Sequence, residues 1–267
     1  MNTGWTDAHA HPHVLTDPEA ALKRAASLGI ERVLGNTSHP DEWDTLAALS
    51  ARHPQVLPGF GVHPWRVGEL SSDWASELTE GLLRRPDAFV GEIGLDRKLT
   101  DQPMDLQKKV LKTQIDIANR LRRACTVHVV GAWQELDEVL KEVRPQRMLL
   151  HAFSGSPEQV KPFLQHRVWF SFGGAVIRQA NSEKLAESVR AVPADRILLE
   201  TDSPYQHPDG KEKEQEPVGL LRIAEAVAKL RGVPVDELRR QTEQNVEEFL
   251  IFCQDLQDLQ DEEFGNS

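Results

Sequence analysis

The chain predicts a (β/α)8 barrel with a metal site at the C-terminal rim of its strands, and three observations predict it. Eight short apolar or mixed segments recur, at 4–8, 31–36, 56–62, 88–93, 125–130, 147–151, 168–172 and 196–201. Helical stretches lie between or after them, at 17–28, 41–52, 71–84, 103–123, 133–143, 157–165, 181–191 and 216–231. Such alternation favours a parallel sheet with helices outside. Finally, histidines and carboxylates stand inside or just after the apolar segments: His9 and His11 in TDAHAHP, Glu92 in FVGEIGLD, His128 in CTVHVV, His151 in RMLLHAFSG and Asp202 in RILLETDSP. A barrel carries such residues from distant parts of the chain to one rim.

The first segment ends in the first specific local pattern, His9-Ala10-His11. Residues two apart on a strand face the same side, so His9 and His11 can present both imidazoles to one cavity. Imidazole nitrogen suits zinc and other first-row divalent ions. In the fourth segment Glu92 lies on an apolar strand, where an uncompensated carboxylate is costly to bury. A metal supplies the compensation, and two carboxylate oxygens can bridge two ions; a salt bridge to Arg97 or to a histidine is the competing reading. Asp96 reads as a structural or turn residue. His128 and His151 follow the next strands, and with His9, His11 and Glu92 they make a metal reading stronger than any one of them does. After the last strand, Glu200 and Asp202 share strand parity, so the apolar run alone does not decide which reaches an ion. Asp202 at the rim is the candidate for ligating a metal and taking a proton from water. Thr201 and Ser203 read first as turn-forming hydroxyls.

Among the helices, 103–123 has the clearest period, with Leu106, Val110, Thr113, Ile117 and Leu121 at helical spacing. A final helix at 243–253 offers Val246, Phe249, Leu250 and Cys253 as a packing face. No linker divides the pattern, so residues 1–253 are expected to form a single barrel domain, with 254–267 as an acidic tail. The 267 residues suffice for one core. A formal charge of −11 argues against a broad cationic face for nucleic acid. Bound divalent ions would invert the field locally, so a phosphate substrate stays open. Cys125 and Cys253 stand outside any CxxC arrangement, which points to a reducing compartment. With no signal-like segment and no long apolar run, a soluble cytoplasmic protein with no membrane contact and no obligate protein partner is expected.

Taken together, DAHAH, GVHPW, VGEIGLD, HAFSGSPE, SFGG and LLETDSPY occur in this order from about Asp7 to Phe249. In them the chain resembles the TatD family of metal-dependent deoxyribonucleases, among the amidohydrolase-like barrel enzymes. The resemblance implies a TIM-like barrel, usually two metals, and phosphodiester cleavage, often of DNA from an end. It places His9, His11, Glu92 and Asp202 around one ion, Glu92, His128 and His151 around the other, and gives Asp202 the positioning of the nucleophilic water. Oxygen and imidazole ligands admit Zn²⁺, Mn²⁺ or Mg²⁺. His63 in GVHPW matches a position associated with the substrate pocket. Ser154 in HAFSG is placed for polar contact, and Trp65, Trp133 and Phe153 are candidates for stacking a base, whereas Trp169, Phe170 and Phe172 read as core.

Two departures bear on substrate. Where relatives often carry an arginine two residues after the histidine matching His128, this chain has Val130, and its late loop reads DGKEKEQEP rather than a basic sequence with asparagine before Glu-Pro. Fewer fixed cations weaken phosphate attraction, although Lys211 or Lys213 can compensate in part. The leading expectation is a TatD-like nuclease, with 3′-to-5′ action on single-stranded DNA as the family expectation. A small-molecule phosphoesterase or amidohydrolase, and a metal-containing structural or interaction protein with little turnover, are the alternatives.

Overall fold

In a computed structural model, residues 4–178, 182–210 and 213–251 are described. The strands are β1 (Trp5–Ala10), β2 (Ile30–Asn36), β3 (Val56–Phe60), β4 (Phe89–Asp96), β5 (Cys125–Val130), β6 (Met148–Leu150), β7 (Val168–Phe172) and β8 (Ile197–Leu199). They form one eight-stranded sheet in chain order, with each consecutive pair from β1–β2 to β7–β8 parallel. At the seam the Asp202 N–H donates to the His9 carbonyl at 2.9 Å, and the His11 N–H to the Ser203 carbonyl at 2.5 Å. Asp7 adds a side-chain tie, accepting from the Thr201 N–H at 2.8 Å and from its hydroxyl at 2.5 Å. The expected barrel is therefore the observed fold.

The helices are α1 (Pro18–Ser27), α2 (Trp43–Arg52), α3 (Trp74–Arg84), α4 (Met104–Arg120), α5 (Trp133–Glu142), α6 (Pro157–Val160), α7 (Ala175–Arg178), α8 (Glu183–Ala191), α9 (Leu220–Arg231) and α10 (Val235–Leu250). Caps explain several of the boundaries. Asp17 accepts from the Ala20 N–H at the start of α1, and Gly232, at φ 68°, ends α9 in the left-handed region. The helix expected at 157–165 breaks into α6 and a 3-10 turn where Pro162 removes a donor. The short α7 was not legible. The last helix begins at Val235 rather than 243, because its first turns are polar and only Leu238 and Thr242 mark the inward side. Cys253 and the acidic segment 254–267 lie outside the described residues.

Strand alternation lays down the interior in layers. Ala8, Leu34, Phe89, Ala124, Leu149, Trp169 and Leu198 form one buried cluster with Val246 and Phe249, so α10 packs against the apolar residues within the sheet. Two residues farther along these strands stand Asn36, Gly91, Thr126, His151, Ser171 and Glu200: the layer turns polar. The other faces of the strands pack against the helices, with Phe170 and Phe172 buried there.

Helix α4 also anchors two strand ends. The Gln114 amide accepts from the Val62 N–H at 2.7 Å and donates to the Val62 carbonyl at 3.1 Å. The Gln107 amide does the same for Asp96, at 2.8 and 3.1 Å. These buried glutamines replace Thr113 as the informative polar positions of the helix, since Thr113 only returns a hydrogen bond to Lys109. Gly94, at φ 151°, permits close approach of β4 to β5, because a Cβ there would collide with the His128 carbonyl.

At the opposite end from the rim, Glu243 of α10 is buried and accepts from the Thr6 hydroxyl at 2.9 Å. Burial pushes its carboxyl up to about 7. The folded state therefore holds this proton more tightly than the unfolded chain, and stability falls as pH rises from about 4.5 through about 7. Glu243→Gln is expected to stabilise the protein by about 2 kcal/mol at pH 8 and to have little effect at pH 5, on a scale of about 1.4 kcal/mol per pH unit. Urea denaturation of both proteins at the two pH values checks this; an equal effect at both would remove the titration argument.

Candidate metal centre

The polar layer ends in a compact group of nitrogens and oxygens at the C-terminal ends of the strands. Glu92 stands at its middle. Its Oε2 lies 3.3 Å from His9 Nε2 and 3.2 Å from His11 Nε2, and Asp202 Oδ1 lies 3.6 Å from each of those nitrogens. The other oxygen, Oε1, lies 2.9 Å from His151 Nε2, 3.1 Å from His128 Nδ1 and 3.3 Å from His63 Nε2. His128 Nδ1 and His151 Nε2 are themselves 3.2 Å apart. The competing pair with Arg97 is not formed: that guanidinium donates to the Gly131 carbonyl and pairs with Glu135.

This spacing tests whether the residues fit metal ions. Ligand atoms sharing a tetrahedral ion at about 2.0–2.1 Å stand roughly 3.3 Å apart. The set also leaves His9 fully buried with neither ring nitrogen hydrogen-bonded, a cost of about 1–3 kcal/mol for an unpaired polar group, which a cation at Nε2 would offset. Three overlapping groups have ligand atoms within 4.8 Å of one another: His9, Glu92 and His151; His9, His11 and Asp202; and His63, Glu92 and His128. The chain thus carries clusters capable of coordinating divalent ions.

The carboxylates behind these rings distinguish ligand candidates from donors. His128 directs Nε2 at Asp96 Oδ2, 3.4 Å away, which leaves Nδ1 free as an electron-pair donor. His151 points Nδ1 at Glu200 Oε1, 3.5 Å away, with Nε2 forward. Of the two roles expected for Asp96, the structural one is seen: it stands behind the His128 ring. Glu200, fully buried, accepts from the Ala152 N–H at 2.9 Å and from the Ser171 hydroxyl. Shared parity thus resolves by height along the strand: Glu200 supports His151 from the layer below, and Asp202 reaches the rim.

His63 behaves otherwise. Its Nδ1 accepts from the Trp65 N–H at 3.1 Å, so the neutral ring carries its proton on Nε2 and presents a donor to the cleft. Burial pushes the His63 imidazole down to about 4 despite the opposing Glu92 charge, which keeps it neutral. Its membership of a geometric metal group is outweighed by this tautomer. Burial would raise the Glu92 carboxyl, but the imidazole of His151 and the hydrogen bond from His11 hold it well below its usual range.

Around the mouth, Trp65 is 51 % exposed, packs edge-on to His63 at 4.6 Å and donates from Nε1 to Asp96. Tyr205, also 51 % exposed, stands 5.5 Å from the His11 ring. Of the other expected stackers, Phe153 is buried against Phe170 and Trp133 is half-buried against Phe153. Ser154 is exposed in the loop after β6. The two hydroxyls beside Asp202 serve the backbone: Thr201 bonds Asp7, and Ser203 donates to the Gln215 carbonyl at 2.7 Å. Sequence reading missed Tyr205, Asp7 at the seam, and Gln206, which donates to Asp202. Glu200 and Asp7 shared the parity signal; Tyr205 and Gln206 lie on a turn and have none.

Residues 6–250 match the family model described as TatD related DNase. A human protein named deoxyribonuclease TATDN3 is 31 % identical over 259 residues, covering 91 % of this chain and 93 % of that protein. The 3′-5′ ssDNA/RNA exonuclease TatD of Erwinia tasmaniensis is 28 % identical over 238 residues, covering 86 % and 92 %. The crystal structure of the Escherichia coli TatD homolog YJJV superposes with a TM-score of 0.87 at 27 % identity, covering 93 % of this chain and 98 % of that one. By its sequence, its barrel and its rim cluster, this chain belongs to the TatD family of metal-dependent hydrolases.

Proposed function

We propose that the protein is a two-metal phosphodiesterase that removes nucleotides from the 3′ end of single-stranded DNA. The observation that carries the reading is the two-sided Glu92, with imidazoles within 3.3 Å of each of its oxygens. In this reading His9, His11, Glu92 and Asp202 hold one ion, and Glu92, His128 and His151 hold the other. Two such cations, when bound, supply positive charge to the phosphoryl group and activate a water at neutral pH; imidazole-rich sites favour Zn²⁺ or Mn²⁺ over Mg²⁺. Asp202 accepts the proton of the attacking water. His63 donates from Nε2 to a non-bridging phosphate oxygen, while Asp96 and Glu200 hold the rings of His128 and His151. Trp65 offers a face to a terminal base, and Ser154 contacts the substrate beyond the cluster. The polarity and the single-strand preference rest on the Erwinia relative. No helix among the described residues is long and apolar enough to cross a membrane.

Hydrolysis of 3′- and 5′-labelled single-stranded DNA, RNA and a simple phosphodiester, after loading with Mn²⁺, Zn²⁺ or Mg²⁺, tests the proposal. Shortening from the 3′ end is the expected result. Turnover of the simple diester alone would establish instead a small-molecule phosphoesterase, the reading Val130 favours. The acidic late loop favours it less, because its described carboxylates are engaged: Glu214 accepts from Thr16, Glu216 pairs with Arg24 and Asp209 with Arg222. Lys211 and Glu212 lie outside the described residues.

Val130 ends β5 opposite Asp96 and has the strand parity of His128, so a side chain there leans to the mouth. Val130→Arg is expected to improve DNA turnover by about 10-fold at low salt, within the 1–3 kcal/mol of a charge-assisted hydrogen bond, and the gain should shrink as salt rises. Kinetics on DNA and on a neutral ester, at matched metal content, check it; an equal rise on both would exclude phosphate recognition.

A further inference from the structure

Behind Asp202, on the side away from His9 and His11, a turn residue and a helix-end residue form a chain of hydrogen bonds. Gln206 Nε2 donates to Asp202 Oδ2 at 2.7 Å. Arg178, at the end of α7, donates from Nη2 to Gln206 Oε1 at 3.0 Å and from Nη1 to the Gln206 carbonyl at 2.6 Å and the His207 carbonyl at 3.5 Å. The order of the chain is fixed chemically. A guanidinium only donates, so the amide atom facing it is the oxygen; an ionised carboxylate only accepts, so the atom facing Asp202 is the amide nitrogen. Neither end tolerates a flipped amide.

We propose that Gln206, itself held by Arg178, is a positioning residue that turns the Asp202 carboxylate so that Oδ1 faces His9 and His11. The inference rests on the two-metal reading given above. Asp202 is bound to need such a restraint: it lies at φ 56°, in a left-handed turn past the end of β8, where the strand no longer fixes its side chain. Gln206 repeats that conformation at φ 53°, and the Tyr205 N–H closes the turn on the Asp202 carbonyl at 2.7 Å. Gly174 makes room for the anchor, since a Cβ there would collide with the Gln206 carbonyl. The neutral amide between guanidinium and carboxylate has its own consequence. Arg178 placed directly on Asp202 would neutralise a metal ligand, whereas the amide transmits orientation and leaves the negative charge available to a cation.

The experiment is Mn²⁺ titration by calorimetry, with steady-state kinetics at saturating Mn²⁺, on the full-length protein and on Gln206→Leu, Gln206→Glu, Arg178→Met and the Gln206→Leu/Arg178→Met pair. Gln206→Leu keeps the bulk and loses the donor; Gln206→Glu keeps the shape and the bond to Arg178 and also loses it, which serves if the leucine variant does not fold. Both are expected to weaken one of the Mn²⁺ sites and to lower kcat by about 10-fold or more, the scale of losing a partner behind a metal ligand, with KM unchanged within about twofold. Arg178→Met should act in the same direction and more weakly, and the pair should fall no further than Gln206→Leu alone, since both act through one path. A purely structural role would lower the melting temperature and leave Mn²⁺ affinity and kcat of the folded fraction as in wild type, and that result overturns the inference. If the unsubstituted protein binds no Mn²⁺ or Zn²⁺, the two-metal reading itself fails and this inference with it.

Discussion

Glu92→Gln is expected to leave the purified protein with less than half its normal metal content and to lower phosphodiester hydrolysis by roughly a thousandfold, the scale of removing a principal charge-stabilising group. The reason lies in the symmetry of its contacts. One oxygen faces His9 and His11 at 3.3 and 3.2 Å, the other His151 and His128 at 2.9 and 3.1 Å. A carboxylate serves both directions. An amide has one acceptor and one donor, so whichever way it turns, an NH2 group faces a set of imidazole lone pairs and takes the place of a ligand. The loss of charge then weakens the remaining site as well. The fold is expected to persist, because glutamine has the same shape and the apolar layer beneath is untouched. Metal analysis by mass spectrometry, circular dichroism and turnover on labelled DNA are the measurements. Full metal content with undiminished turnover would show that Glu92 does not bridge.

How far the sequence could be read follows from which signals repeat. The strands were legible because eight apolar segments recur with helices between them, and β1 to β8 lie within or beside the segments expected. The cluster was legible because a period of two carries side chains up the inside of a strand: from Leu34 to Asn36, from Ala124 through Thr126 to His128, from Leu149 to His151, from Leu198 through Glu200 to Asp202. What the period does not give is height, and so Glu200 and Asp202 stayed undivided until the hydrogen bonds of Glu200 to Ser171 and Ala152 placed it below the rim. For Asp96 the sequence left a structural and a turn role undivided, since its bond to His128 crosses from β4 to β5. The α4 glutamines were hidden for another reason. A buried amide that satisfies a loop backbone resembles a surface residue in a polar helix until the loop is in place. Turn residues such as Gln206 carry no period at all, and their partners are set only by tertiary structure.

Asp202→Asn is expected to lower kcat by about a thousandfold, within the 10²–10⁴ range of a positioned general base, while KM changes little and one of the two ions is retained. The substitution conserves size but meets a donor on one side and a proposed cation on the other. Gln206 Nε2 donates to Oδ2 at 2.7 Å, so the asparagine amide oxygen is drawn there. Its NH2 group then points to the space between His9 and His11, where Oδ1 stood 3.6 Å from each ring nitrogen. Turning the amide round restores that oxygen and sets two donors against each other at Gln206. In either orientation the side chain lacks the carboxylate proposed to take a proton from water. The ion proposed beside His128 and His151 would keep its own ligands, Glu92 among them, which is why this variant should lose about half the metal where Glu92→Gln loses more. Metal content, kcat and KM at saturating Mn²⁺ check both parts of the expectation. Undiminished kcat at full occupancy would assign proton transfer to another group, and Glu200 is poorly placed to be it, since that carboxylate is fully buried and bonded to Ser171 and Ala152.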